Sequence, residues 1–90
     1  MRIAIERPRE QAAPWIYSGA AQLPDASFPA RVEVSEDGTV EAELSPSAGG
    51  AEPPADLVEK VRLIVRTAYR QAKADGEPPA WRIVRWRGEK

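Results

Sequence analysis

Four basic side chains recur at helical spacing in the second half of this 90-residue chain: Arg62, Arg66, Arg70 and Lys73 stand at i, i+4, i+8 and i+11. On a helix they form one ridge, and such a row of cations suits phosphates or an acidic protein surface. The same spacing is also what the solvated side of any sheet-packed helix presents. A second basic cluster, Arg82, Arg85 and Arg87, is interleaved with Trp81 and Trp86. Guanidinium groups can pair with phosphates while indole rings stack on bases, which is the chemistry of single-stranded nucleic-acid binding. Trp and Arg are equally the residues that anchor protein interfaces. Neither cluster carries a recognition-helix signature, the aromatic pair of an RNA-recognition sheet, or a Gly-rich loop between two helices.

Other chemistry has little to work with. The chain has no histidine and no cysteine, which removes the commonest general base near neutral pH, Ser-His and Cys-His nucleophiles, and the usual zinc ligands. Its carboxylates alternate along strand-like segments on a face expected to be wet, where nothing drives a pair of pKa values apart. Glu33 and Glu41 would bind a divalent cation only weakly, lacking a ligand loop. The expectation is therefore a protein without enzymatic activity, metal or cofactor.

Charge is divided by position. Residues 1–59 carry 4 basic and 11 acidic side chains, and residues 60–90 carry 9 basic and 3 acidic. The net charge of −1 thus conceals a polarised molecule, a property that governs long-range attraction and association rather than fold. Arginine outnumbers lysine 10 to 3 beside 15 alanines, a bias that GC-rich coding produces unaided. No apolar stretch reaches the ~20 residues that span a bilayer, and charges occupy the place of a signal peptide's apolar segment. A bacterial-type cytoplasmic protein is expected, with no membrane contact.

The elements that must position these residues follow from periodicity. Met1, Ile3 and Ile5 alternate with Arg2 and Glu6 as a half-buried strand does, and Pro8 stops it. Residues 9–14 read as a loop, and Trp15, Ile16, Tyr17 and Ser18 as a short second strand that Gly19 bends or ends. From Arg31 to Leu44, Val32 and Val34 precede Glu36, Asp37 and Gly38, and Val40, Ala42 and Leu44 follow. A two-residue Asp-Gly loop would mix apolar and charged side chains on one face. A three-residue loop, with Gly38 left-handed in a bulged turn, instead pairs Val34 with Val40, Val32 with Ala42 and Arg31 with Glu43. That register sets Glu33 against Glu41, at a cost of a few tenths to about 1 kcal/mol on a solvated face. It also gives the hairpin an acidic outer face of Glu33, Glu36, Asp37, Glu41 and Glu43, which repels a polyanion.

Residues 45–54 lack periodicity and large apolar groups, which predicts a mobile loop. A helix over 55–75 follows, with Asp56 in its first turn and Gly76 after its last. Its apolar stripe comprises Leu57, Val58, Val61, Ile64, Val65, Ala68 and Ala72, with Leu63 outside. Residues 81–87 form a last strand of mixed faces, with Ile83 and Arg85 on one side and Arg82, Val84 and Trp86 on the other. The whole predicts one α+β domain over residues 1–90, an antiparallel sheet of four to five strands with one long helix on one face, in the order β-β-β-β-α-β. Its expected function is that of a small binding or adaptor protein. The expected contact, with a protein partner or with itself, uses Arg62, Arg66, Arg70, Lys73, Trp81, Arg82, Arg85, Trp86 and Arg87, and nucleic-acid binding through the same surface is the alternative.

Overall fold

A computed structural model of the chain describes residues 1–86. Five strands, β1 (Arg2–Glu6), β2 (Trp15–Leu23), β3 (Ala26–Val34), β4 (Val40–Leu44) and β5 (Arg82–Trp86), and one helix, α1 (Ala55–Ala74), succeed one another as β-β-β-β-α-β. All strand pairings are antiparallel, in the order β4-β3-β2-β1-β5. The α+β architecture read from periodicity is the architecture of the fold. Residues 45–54 contain neither helix nor strand, and Ser47 accepts bonds from Gly50 and Ala51 in a turn.

Period-two alternation sorts each strand into a covered and an open side. Ile3, Ile5, Tyr17, Ala21, Phe28, Ala30, Val32, Val34, Val40, Leu44 and Ile83 are buried together with Leu57, Val61, Ile64, Val65 and Tyr69 of α1. Burying each large apolar side chain contributes about 1.5–3 kcal/mol before entropy is counted. The helix ends in a Schellman motif: Gly76 has φ +72°, its N–H donates to Lys73 O at 3.0 Å, and Glu77 N–H donates to Ala72 O at 2.9 Å. Leu63 stands outside the stripe and is exposed.

The β3–β4 hairpin takes the register that core burial demands, with Val34 opposite Val40, Val32 opposite Ala42, Arg31 opposite Glu43 and Glu33 opposite Glu41. Gly38 is left-handed at φ +93°. Ser35 N–H closes on Thr39 O, and Gly38 N–H on Ser35 O, each at 2.9 Å.

Two boundaries differ from those that periodicity predicts. Gly19 neither bends nor ends β2, which runs on to Leu23, and β3 begins at Ala26 rather than Arg31. Pro24 and Asp25 join them, with Leu23 opposite Ala26. Small residues and prolines hide this pairing from pattern reading, yet Pro29 is accommodated because its missing N–H lies on the β4 side, where the ladder closes with Ser45 N–H donating to Pro29 O. Gly19 lies opposite Ile5 and Ala30, and a Cβ there would stand 2.0 Å from Ala4 O, so only glycine permits this approach of β2 to β1. The apolar stripe of α1 also extends to Tyr69, which periodicity alone omits. Its hydroxyl donates to Glu36 O at 2.9 Å and its ring lies 6.3 Å from that of Trp15.

Candidate functional site

The strand β5 reaches the sheet edge through a connector held by two buried side chains. Arg7, only 6% exposed, donates to the carbonyls of Pro8, Arg9 and Pro79. Tyr17 donates its hydroxyl to Ala80 O at 2.6 Å, and burial raises its pKa, an effect the nearby Arg7 cation only partly offsets. Arg7 is the residue holding this connector that sequence patterns miss, since one arginine before a proline looks like any surface cation. Its backbone N–H donates to Trp81 O at 2.8 Å, which extends the β1–β5 ladder.

That bond also determines which backbone groups of β5 are free. Arg7 and Trp81 continue the register in which Ile5 faces Ile83 and Ile3 faces Arg85. Alternation in an antiparallel ladder then turns the N–H and C=O of residues 81, 83 and 85 toward β1, and those of Arg82, Val84 and Trp86 outward. One outward acceptor is covered locally, because the Arg85 guanidinium donates to Val84 O at 2.9 Å.

The side chains of β5 divide as alternation requires. Ile83 is buried in the core, and Arg85 shares its side. Arg82, Val84 and Trp86 lie on the open face, opposite Glu6, Ala4 and Arg2. Trp86 is 74% exposed, with the Arg2 guanidinium 5.3 Å from its ring centroid. Trp81 is 36% exposed, with Arg9 stacked 4.2 Å away. These cations cover the ring faces without hiding the rings.

The helix ridge belongs to a different part of the surface. Arg62 is engaged by Glu59 in an ion pair that lowers the Glu59 pKa and raises that of Arg62. Arg66, Arg70 and Lys73 line a cleft with Tyr69 and the Asp37–Gly38 turn, so this flank faces the β3–β4 hairpin. Asp37 brings a carboxylate to that cleft, and its pKa is held down by hydrogen bonding to Thr39. The opposite flank of α1, with Ile64, Thr67, Ala68 and Gln71, looks toward Arg85 and Trp86 across a groove of about 260 Å³. The groove continues past Asp75, Glu77, Pro78 and Ala80.

The two basic clusters are therefore not neighbours. The ridge borders the acidic hairpin through Arg66, Arg70 and Lys73, while Arg82, Arg85, Trp81 and Trp86 occupy the far edge of the sheet. Arg87 lies outside the described residues. Among the described residues no group of three or more His, Cys, Asp or Glu side chains could hold a metal ion, and no helix is long and apolar enough to cross a membrane. No family model, curated protein or solved structure matches this chain.

Proposed function

We propose that the protein is a small non-enzymatic binding domain that contacts a protein partner through the aromatic edge strand β5, with the basic ridge of α1 as a separate surface. The observation that carries this reading is Trp86: the most exposed of the large apolar side chains, 74% open, on an edge strand with outward backbone groups. An exposed indole flanked by arginine is the side-chain chemistry of an interface anchor. Val84, Ala4, Ala20 and Pro29 lie in register beside it on the open face and add a strip without charge.

Nucleic acid fits this surface less well. A backbone-tracking groove needs continuous positive charge, whereas here the ridge is bordered by Asp37 and separated from β5 by the width of the helix. Labelled single-stranded and duplex oligonucleotides, titrated at low and physiological salt, test the distinction by fluorescence anisotropy. Weak binding lost at physiological salt is the expected result. Saturable binding that survives physiological salt and disappears on Arg62→Ala, Arg66→Ala and Arg70→Ala would transfer the function to nucleic acid.

A further inference from the structure

Resting on the protein-partner reading above, we infer that the groove between β5 and α1 receives an extended, acidic peptide segment of the partner as a sixth strand. Of the two sheet edges, β4 is the one against which α1 packs, and its open-face side chains are Glu41 and Glu43. The β5 edge is flanked by the groove instead. An incoming strand would find the outward N–H and C=O groups of Arg82, Val84 and Trp86, and its side chains would alternate between the open face and the groove. Strand addition of this kind draws affinity from main-chain bonds and specificity from the pockets that receive alternate side chains.

Charge selects the occupant along β5 itself, because the part of the groove between Arg85, Trp86 and the flank of α1 that carries Ile64 and Gln71 holds no carboxylate, and Asp75 and Glu77 line only its continuation. Among the described residues Arg82 and Arg85 form no ion pair, and the Arg85 guanidinium is spent on its neighbour's carbonyl, an acceptor on the free edge. An added strand supplies an N–H to that carbonyl and frees Arg85 for a carboxylate. In antiparallel addition the residue opposite Arg85 points to the groove, the next lies opposite Val84 on the open face, and two further on stands opposite Arg82. The fitting segment has acidic residues at the first and last of these positions and an apolar β-branched residue opposite Val84. A second copy of β5 is disfavoured, because antiparallel pairing about Val84 sets Arg82 opposite Trp86 and Arg85 opposite Ile83 and so brings no carboxylate to either arginine. A local cap such as Arg85 on Val84 O is also a means of guarding an edge against indiscriminate pairing.

The test is a titration of isotope-labelled protein with a short acetylated peptide of alternating valine and threonine, glutamates placed to face Arg85 and Arg82, followed by backbone amide shifts. Expected are shifts in residues 82–86 and 64–71, slowed hydrogen exchange at Val84, and about tenfold weaker binding on Arg85→Glu. A peptide with lysines for glutamates should bind Arg85→Glu better than the unaltered protein, a gain that an unfolded variant cannot give. Val84→Pro removes an outward N–H while sparing the β1 ladder and should abolish binding with the thermal midpoint retained. No shift, shifts confined to residues 62–73 of the ridge, or binding indifferent to both variants overturns strand addition. A partner protein captured through Trp86 but unaffected by Arg85→Glu and Val84→Pro overturns strand addition alone, whereas failure to capture any protein overturns the partner reading as well.

Discussion

The hydroxyl of Tyr17, in the middle strand of the sheet, reaches the carbonyl of Ala80 at 2.6 Å and so ties the core to the segment that delivers β5. Phenylalanine at this position would fill the same space and leave that carbonyl without its donor. Tyr17→Phe should therefore lose about 1 kcal/mol of stability, read from urea denaturation.

The same phenol gives a pH dependence whose sign is set by its raised pKa. A group with a folded pKa above its unfolded value adds stability that is complete below the unfolded value, about 10 for tyrosine, and is lost as pH rises through the folded one. The unaltered protein should weaken more steeply than Tyr17→Phe above about pH 10. Parallel curves for the two would place the alkaline transition elsewhere.

Arg7 offers a case where two effects compete. An apolar replacement removes the cost of burying a cation, including the Nε that has no hydrogen-bond partner among the described residues, but leaves the carbonyls of Pro8 and Pro79 without their donor. Because the acceptors remain in place, the loss should prevail: Arg7→Met is expected to cost about 1–3 kcal/mol. Thermal midpoints check this, at about 4–8 °C per kcal/mol for a domain of this size.

Glycines separate close approach from mere looseness. Gly19→Ala forces a methyl group into the β1 backbone and should cost more than about 2 kcal/mol. Gly38→Ala faces both φ +93° and the Tyr69 ring at 2.9 Å, and should cost about 1–2 kcal/mol. At Gly49, where the nearest atom is Ser47 Oγ at 4.0 Å, alanine should change stability by less than about 0.5 kcal/mol. Comparative urea melts of the three variants would show whether this order holds.

The ridge should be dispensable for folding. Among the described residues Arg66 and Arg70 have no ion-pair partner, so Arg66→Glu with Arg70→Glu should alter stability by less than about 0.5 kcal/mol, measured by chemical denaturation. Contacts made through β5 should persist in this double variant, because the ridge lies on the opposite flank of the helix.

What was legible in the sequence is what strong periodicity and turn chemistry encode. Val32, Val34, Val40 and Leu44 admit only one hairpin register that buries all four, and Gly38 supplies the turn it needs. The helix was equally readable, since Asp56 and Gly76 mark its ends and its stripe is regular. The β2–β3 pairing was not, because Ala20, Ala21, Ala26 and Pro29 carry little strand signal and draw their structure from neighbours on both sides. Tyr69 lies at the margin of the helical stripe and is buried by the hairpin turn packed on it. Side-chain spacing named both basic clusters, but only the strand order could reveal that β5 stands at the edge far from the hairpin. The outward backbone groups of β5 depend on that order too.

The central claim concerns Trp86, and a paired capture addresses it most directly. Immobilised unaltered protein and Trp86→Ala would be exposed to the same cell lysate at physiological salt, and retained proteins quantified by mass spectrometry. Because the side chain is 74% exposed, the variant should fold normally, and loss of an interface anchor worth about 2 kcal/mol should cut retention of a specific partner more than tenfold. Equal retention of every captured protein by the two forms would contradict the account.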